Sequence, residues 1–191
     1  SEWEIIQEIV DNRRKIRHEK RIIFNAILWI LTTGSQWRNL ESRFPPWQSV
    51  YHHFRHWKKA ELIEELLDFL AFRLRVWAKR ADSPSVLALD SQRVKIVQFT
   101  SEEKGIDGGK FINETGGWNG RKRHIAVDCL GIPWAVLVTA GNISDGAAGD
   151  ILMGQLKGKS ERLKTLKVDK GYKEGFVERT KEQYGWAVEI V

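Results

Sequence analysis

The apolar residues of this chain change their period once, near residue 80, and that change demands two different kinds of structure. Before it, apolar side chains recur three and four apart, which gathers them on one face of a helix. Ile22, Ile23, Ala26, Ile27 and Ile30 keep this spacing within residues 19–31. Leu62, Leu66, Phe69, Leu70 and Leu74 keep it within residues 61–79. Trp3 to Val10 is a shorter amphipathic segment, and Gly34 is placed to end the helix before it. Pro45-Pro46 stops any helix, and Ser49 is placed to cap a new one through SVYHHFRHWKK. Beyond residues 80–84 the blocks become short and strand-like. SVLALDSQRVKIVQ is a strand, and RHIAVDCLGIPWAVLVTAG is a hairpin turning at residues 128–131. A helix over residues 145–156, a strand LKTLKVD, a helix over 174–183 and a last strand WAVEIV follow. Residues 100–121, rich in Gly, Lys and Asn, read as an extended loop.

The expected class is therefore mixed α+β: a helical, helix-turn-helix-like domain over 1–80 and an α/β domain over 84–191. In the second domain the order strand, strand, strand, helix, strand, helix, strand is that of a ribonuclease H-like sheet. There the first and fourth strands lie side by side. Asp90 sits within the first strand and Asp169 ends the fourth, so the order brings the two together.

Charge points to a partner. The net charge is +6, and residues 1–80 hold 15 Lys and Arg against 10 Asp and Glu. A basic front on a near-neutral remainder suits a polyanion, although a solvated basic surface gives the same count. The lone Cys129 excludes an internal disulfide framework and a multi-cysteine zinc site. The longest apolar run, FNAILWILTTG, falls short of the ~20 residues of a membrane span. With no secretory pattern at the front, the expected compartment is the cytoplasm, around the nucleoid.

Asp90 and Asp169 are the candidate catalytic and metal-binding residues. A charge beside an apolar strand is costly unless paired, protonated or bound to metal. Paired carboxylates suit hard divalent ions, Mg²⁺ or Mn²⁺, which can activate a nucleophile at a phosphodiester. Taken singly, each Asp is better read as capping a turn or pairing with a neighbouring cation; it is the pair, at these two places in the strand order, that favours the metal site. Two basic segments are candidate DNA contacts. One is GGWNGRKRH, with Trp118 ahead of Arg121, Lys122 and Arg123. The other is the helix carrying His52, His53, Arg55, His56, Lys58 and Lys59, with Tyr51, Phe54 and Trp57 turned to the core. The three histidines lack a Cys or carboxylate at metal-ligand spacing. Trp29, Trp37, Trp47, Trp57 and Trp77 are expected in core or interdomain packing. His124 reads as structural, Asp128 as a turn residue and Asp145 as the cap of the helix it begins.

The blocks IFNAILWILTTGSQWRNL, FPPWQSVYHHFRHW, LALDSQRVK, NGRKRHIAVDCLGIP and VDKGYKEGF, in this order, resemble transposases of insertion-sequence family five, within the group that includes family four. The resemblance runs from about Trp3 to the last residue. It implies a DNA-binding helical domain followed by a DDE catalytic core that cuts and joins transposon ends with Mg²⁺ or Mn²⁺. It also implies a homodimer or higher oligomer on double-stranded DNA. Leu89-Asp90-Ser91 matches the motif of the first acid. Asp169, Gly171, Tyr172 and Phe176 match that of the second. The family's third acid is a Glu on a helix beyond the last strand read here. Glu178 lies in a similar-looking stretch but directly after the second motif, so it is not expected to fill that role, nor are Glu182 and Glu189. The chain is accordingly expected to carry two of three acids. The alternative to an active transposase is a form that binds the same DNA without cutting it, as a repressor. A weaker one is an unrelated metal-dependent nuclease of the same fold. The segment around Asp145 also resembles a block common in the family, which implies a supporting role near the site.

Overall fold

The computed structural model describes residues 2–10, 17–95, 105–106, 119–172 and 174–191. They form two compact units, Ser1–Leu70 and Ala71–Val191.

The first unit is helical. It contains α1 (Glu2–Val10), α2 (Lys20–Thr33), a 3-10 turn (Trp37–Asn39), α3 (Trp47–Lys59) and the start of α4 (Leu62–Trp77). Val10, Ile23, Ala26, Ile27, Val50 and Trp57 are buried together, with Phe24 between the rings of Trp3 and Trp57. Gly34 ends α2 at φ +66°, donating its N–H to the Ile30 carbonyl, as its position in the sequence suggests. The start of α3 differs from expectation. Pro46, not Ser49, occupies the cap, and its carbonyl accepts from the N–H groups of Ser49 and Val50. Ser49 therefore lies inside the first turn.

In the second unit β1 (Val86–Lys95) is the central strand. It runs antiparallel to β3 (Asn119–Val127), which pairs antiparallel with β4 (Pro133–Ala140). On its other side β1 runs parallel to β5 (Thr165–Val168), which pairs parallel with β6 (Ala187–Ile190). The order β4-β3-β1-β5-β6 is the ribonuclease H-like arrangement expected from the sequence. A two-residue strand, β2 (Gly105–Ile106), adds to the start of β3.

Helices α5 (Asp145–Leu156) and α6 (Glu174–Tyr184) complete the unit. Leu152, Met153 and Leu156 of α5 and Phe176 of α6 join Leu87, Leu89, Ala126, Leu166 and Val168 of the sheet in one core. These strand positions alternate with exposed ones, so only one sheet face receives α5. The opposite face presents Val86, Val136 and Val138 to solvent.

The division between units falls inside α4, ahead of residues 80–84. Ala71 is buried in the second unit's core. Arg75 donates to the carbonyls of Ala81 and Ser83, so residues 80–84 are pinned to the last turn of α4 and do not form a free linker. Two apolar positions depart from expectation here. Leu74 is exposed because the helix turns Ala71 and Arg75 inward, and Trp77 is 85% exposed and belongs to no core. Among the described residues no helix is long and apolar enough to cross a membrane.

Candidate functional site

The last paired residues of β1 and β5 are Leu89 and Val168, both buried. Asp90 and Asp169 follow them, one residue further along each of two parallel strands. Strand alternation turns both carboxylates out of the core, and both are exposed. Each takes a local donor. Asp90 Oδ1 accepts from the Ser91 N–H at 2.8 Å and Asp169 Oδ1 from the Gly171 N–H at 3.0 Å.

A third carboxylate reaches the same corner. Asp145 is not the cap of α5; Ser144 is, its hydroxyl accepting from the Ala147 N–H at 3.3 Å. The Asp145 side chain is thereby left for tertiary contacts. Its Oδ1 lies 3.4 Å from Lys122 Nζ, which also donates to the Ile143 carbonyl at 3.0 Å. On its other side it approaches Gly171. A Cβ at Gly171 would stand 2.8 Å from Asp145 Oδ2 and 3.0 Å from Asp169 Oδ1.

Tyr172 follows in the chain, and its ring packs on Phe176 at 5.2 Å. Gly149 of α5 admits both rings: a Cβ there would meet Phe176 at 2.6 Å and Tyr172 at 3.0 Å. The Tyr172 hydroxyl is buried and, among the described residues, has no hydrogen-bond partner. Burial pushes its pKa up, and the charges of Asp145, Asp169 and Asp90 push it the same way. The phenol thus stays protonated in the field of all three carboxylates. The spacing Asp169, Gly171, Tyr172, Phe176 has a physical reading: an acid at a strand end, a gap for a second acid, and two rings anchoring the loop.

The basic residues separate. Residues 107–118 lie outside the described residues, and with them Trp118. Arg121, Lys122 and Arg123 lie in β3 and not in a loop, so alternation decides their faces. Arg121 and Arg123 share the face of Asp90, and Arg123 donates to Gln92 at 2.7 Å. Lys122 points the other way, is 6% exposed and serves Asp145. It is a buried structural cation, not a surface contact for phosphate. His124, on the same face, is fully buried with Nε2 at 3.0 Å from the Thr139 hydroxyl. Burial holds its pKa below the usual value, against the pull of Asp145.

On α3, His52, Arg55, His56, Lys58 and Lys59 are exposed and line an open groove with Trp47, Tyr51 and Phe54. His53 is half-buried beside Trp57, and burial together with neighbouring His52 lowers its pKa. Its ring is thus only partly open to solvent. Glu178 of α6 is exposed, two residues from each of the buried Phe176 and Thr180, and so on the far side of the helix.

A transposase DDE domain family matches residues 81–188, the whole span that carries Asp90, Asp145 and Asp169. The chain belongs to the DDE transposase family. A second family of transposases, IS4/5 (DUF4096), matches residues 1–67. A curated relative, "Uncharacterized protein y4sN" of Sinorhizobium fredii, is 26% identical over 114 residues, which are 58% of this chain and 85% of that protein. Two solved structures are similar to this DDE chain at low identity. The Mos1 transposase paired-end complex with left transposon end is 12% identical, with a TM-score of 0.35 over 93% of this chain and 60% of that one. The Mos1 strand transfer complex is 16% identical, with a TM-score of 0.33 over 93% and 59%. The chain thus spans about three fifths of the solved chains it matches.

Proposed function

We propose that this DDE chain binds transposon-end DNA and supplies carboxylates to a divalent-metal site that cuts and joins phosphodiesters. The observation that carries this reading is the parallel pairing of β1 with β5 up to Leu89 and Val168, which sets Asp90 beside Asp169.

The residues fit a hard divalent ion. The donors are all oxygens, as Mg²⁺ and Mn²⁺ require. The missing side chain at Gly171 lets the Asp145 and Asp169 carboxylates approach it closely, and among the described residues the buried Tyr172 hydroxyl has no hydrogen-bond partner. Asp90 and Asp169 would hold the metal. Such ions polarise a phosphodiester and lower the pKa of a bound nucleophile. The chain's own contribution is placement: β1 and β5 are packed side by side beneath the two acids, so the carboxylates start close to one another. Among the described residues no three Asp, Glu, His or Cys side chains already converge tightly enough to enclose an ion. Each acid is satisfied locally, and rotation of exposed side chains is what brings them to a common cation.

The exposed face of α3 supplies the DNA contact, with His52, Arg55, His56, Lys58 and Lys59 outward, and Arg121 and Arg123 add positive charge on the sheet face of Asp90. Action on paired ends calls for a dimer or higher oligomer. The test is incubation with inverted-repeat DNA and Mg²⁺ beside Asp90→Asn. Cleavage lost in the variant supports the enzyme. Binding without cleavage by either protein supports a DNA-binding module. No binding at low salt overturns both.

A further inference from the structure

Asp145 is drawn into the corner occupied by Asp169 by two features that its place at the start of α5 does not require. The first is Lys122. A lysine buried to this degree needs a counter-charge and acceptors, and it finds them in Asp145 Oδ1 and the Ile143 carbonyl. That contact engages one carboxylate oxygen and leaves the other, Oδ2, directed at Gly171.

The second is Gly171 itself. Glycine is not needed there for the backbone, since Gly171 is not among the glycines with positive φ. The atoms that a Cβ would strike are Asp145 Oδ2 and Asp169 Oδ1. The residue is small because two carboxylates approach it from two sides. Bringing like charges together is unfavourable unless a cation joins them. Lys122 is one such cation, and its contact with Asp145 is to Oδ1, at 3.4 Å. Tyr172, next in the chain, is 1% exposed, and among the described residues its hydroxyl has no hydrogen-bond partner. A buried hydroxyl left unbonded carries a desolvation cost that a hydrogen-bonding ligand would relieve.

We propose that Asp145 is a further carboxylate of the metal site, ligating through Oδ2 across the Gly171 gap while Lys122 holds Oδ1. This rests on the reading of Asp90 and Asp169 as metal ligands. It gives three acids from three different elements: the centre of β1, the end of β5 and the first turn of α5.

The experiment is Mn²⁺ titration of the full chain, read by calorimetry and by the electron paramagnetic resonance of free Mn²⁺, without DNA and without turnover. The variants are Asp90→Asn, Asp145→Asn and Gly171→Ala. Asparagine at 145 keeps an oxygen for Lys122 and leaves the Ser144 cap untouched, so thermal unfolding checks that folding survives. Both Asp90→Asn and Asp145→Asn are expected to weaken Mn²⁺ binding about tenfold or more. Gly171→Ala, which drives a methyl between the two oxygens, is expected to do the same. If Asp90→Asn weakens binding while Asp145→Asn and Gly171→Ala do not, the role of Asp145 is overturned and the two-acid reading stands. If none of the three changes binding, or the unmodified chain binds no Mn²⁺, the two-acid reading falls and this inference with it.

Discussion

Arg75, near the end of α4, and Asp128, at the end of β3, are 53 residues apart in the chain and form a buried ion pair. Both side chains are almost wholly enclosed. Asp128 also accepts from the N–H groups of Leu130 and Ile132, at 2.8 and 3.0 Å, and from the Trp134 indole. The pair fastens three things at once: the end of α4, residues 81–83 and the β3–β4 turn. Burial opposes the charge of Asp128, yet its donors, Arg75 foremost, hold its carboxyl below the usual carboxylate range. Removing one partner strands the other charge, so Arg75→Met is expected to cost about 3–5 kcal/mol. Urea unfolding followed by circular dichroism measures it. A loss below about 1 kcal/mol would mean that water reaches the pair.

Acid should weaken the fold before that carboxylate titrates. His124 and His53 both have folded pKa values below the 6.5 of an exposed imidazole, chiefly through burial. The unfolded chain therefore binds more protons than the folded one as pH falls below about 6.5, and stability falls with it. Above that value their contribution is fully present. Melting temperature plotted against pH is expected to decline through this window and to decline less in His124→Gln. Asp128 acts lower, its stabilisation being lost as pH falls through its depressed folded pKa. A profile unchanged by His124→Gln would show that His124 accepts its proton without strain.

Gly149→Ala sets two effects against each other. Within a helix, alanine is favoured over glycine by about 1 kcal/mol. Here the new methyl would stand 2.6 Å from a ring carbon of Phe176 and 3.0 Å from one of Tyr172. Both rings are buried at 1% exposure and cannot swing into solvent. Overpacking of this kind costs about 1–3 kcal/mol, so a net loss of stability is expected. Thermal unfolding decides it, and a stabilised variant would mean that α5 shifts freely over α6.

The strand order and the neighbouring of Asp90 and Asp169 are legible in the sequence because period-two alternation and strand succession are local signals. Which face each strand residue occupies is not. Arg121, Lys122 and Arg123 form a uniform charge run, and only the extent of β3 shows that the middle one is inside. Asp145 resembles a helix cap because Ser144 and Asp145 both suit that role, and one residue of offset releases it toward Gly171. Trp77 suits a core by composition, but α4 rotates it outward by burying Ala71 and Arg75. Burying an arginine is a tertiary event, set by an aspartate 53 residues away. No local pattern announces it.

Charge on α3 can be separated from charge elsewhere by the salt dependence of DNA binding. Arg55, Lys58 and Lys59 are exposed on one helix, whose apolar side packs through Trp57 and through the contacts of Tyr51 and Phe54 with Trp37. Replacing the three with alanine touches no buried group, so stability should stay within about 0.5 kcal/mol. Each phosphate that is no longer neutralised should flatten the slope of log K against log salt by about 0.9. The triple variant is therefore expected to bind inverted-repeat DNA more weakly and with a slope shallower by up to about 3. His53→Ala should do the reverse, lowering stability while leaving the slope alone, because His53 packs against Trp57. Lys122→Met should also leave the slope unchanged, since its charge is engaged by Asp145. Fluorescence anisotropy across a salt series reads all three. An unchanged slope in the triple variant would remove α3 from the DNA-facing surface and leave Arg121 and Arg123 on the sheet to account for binding.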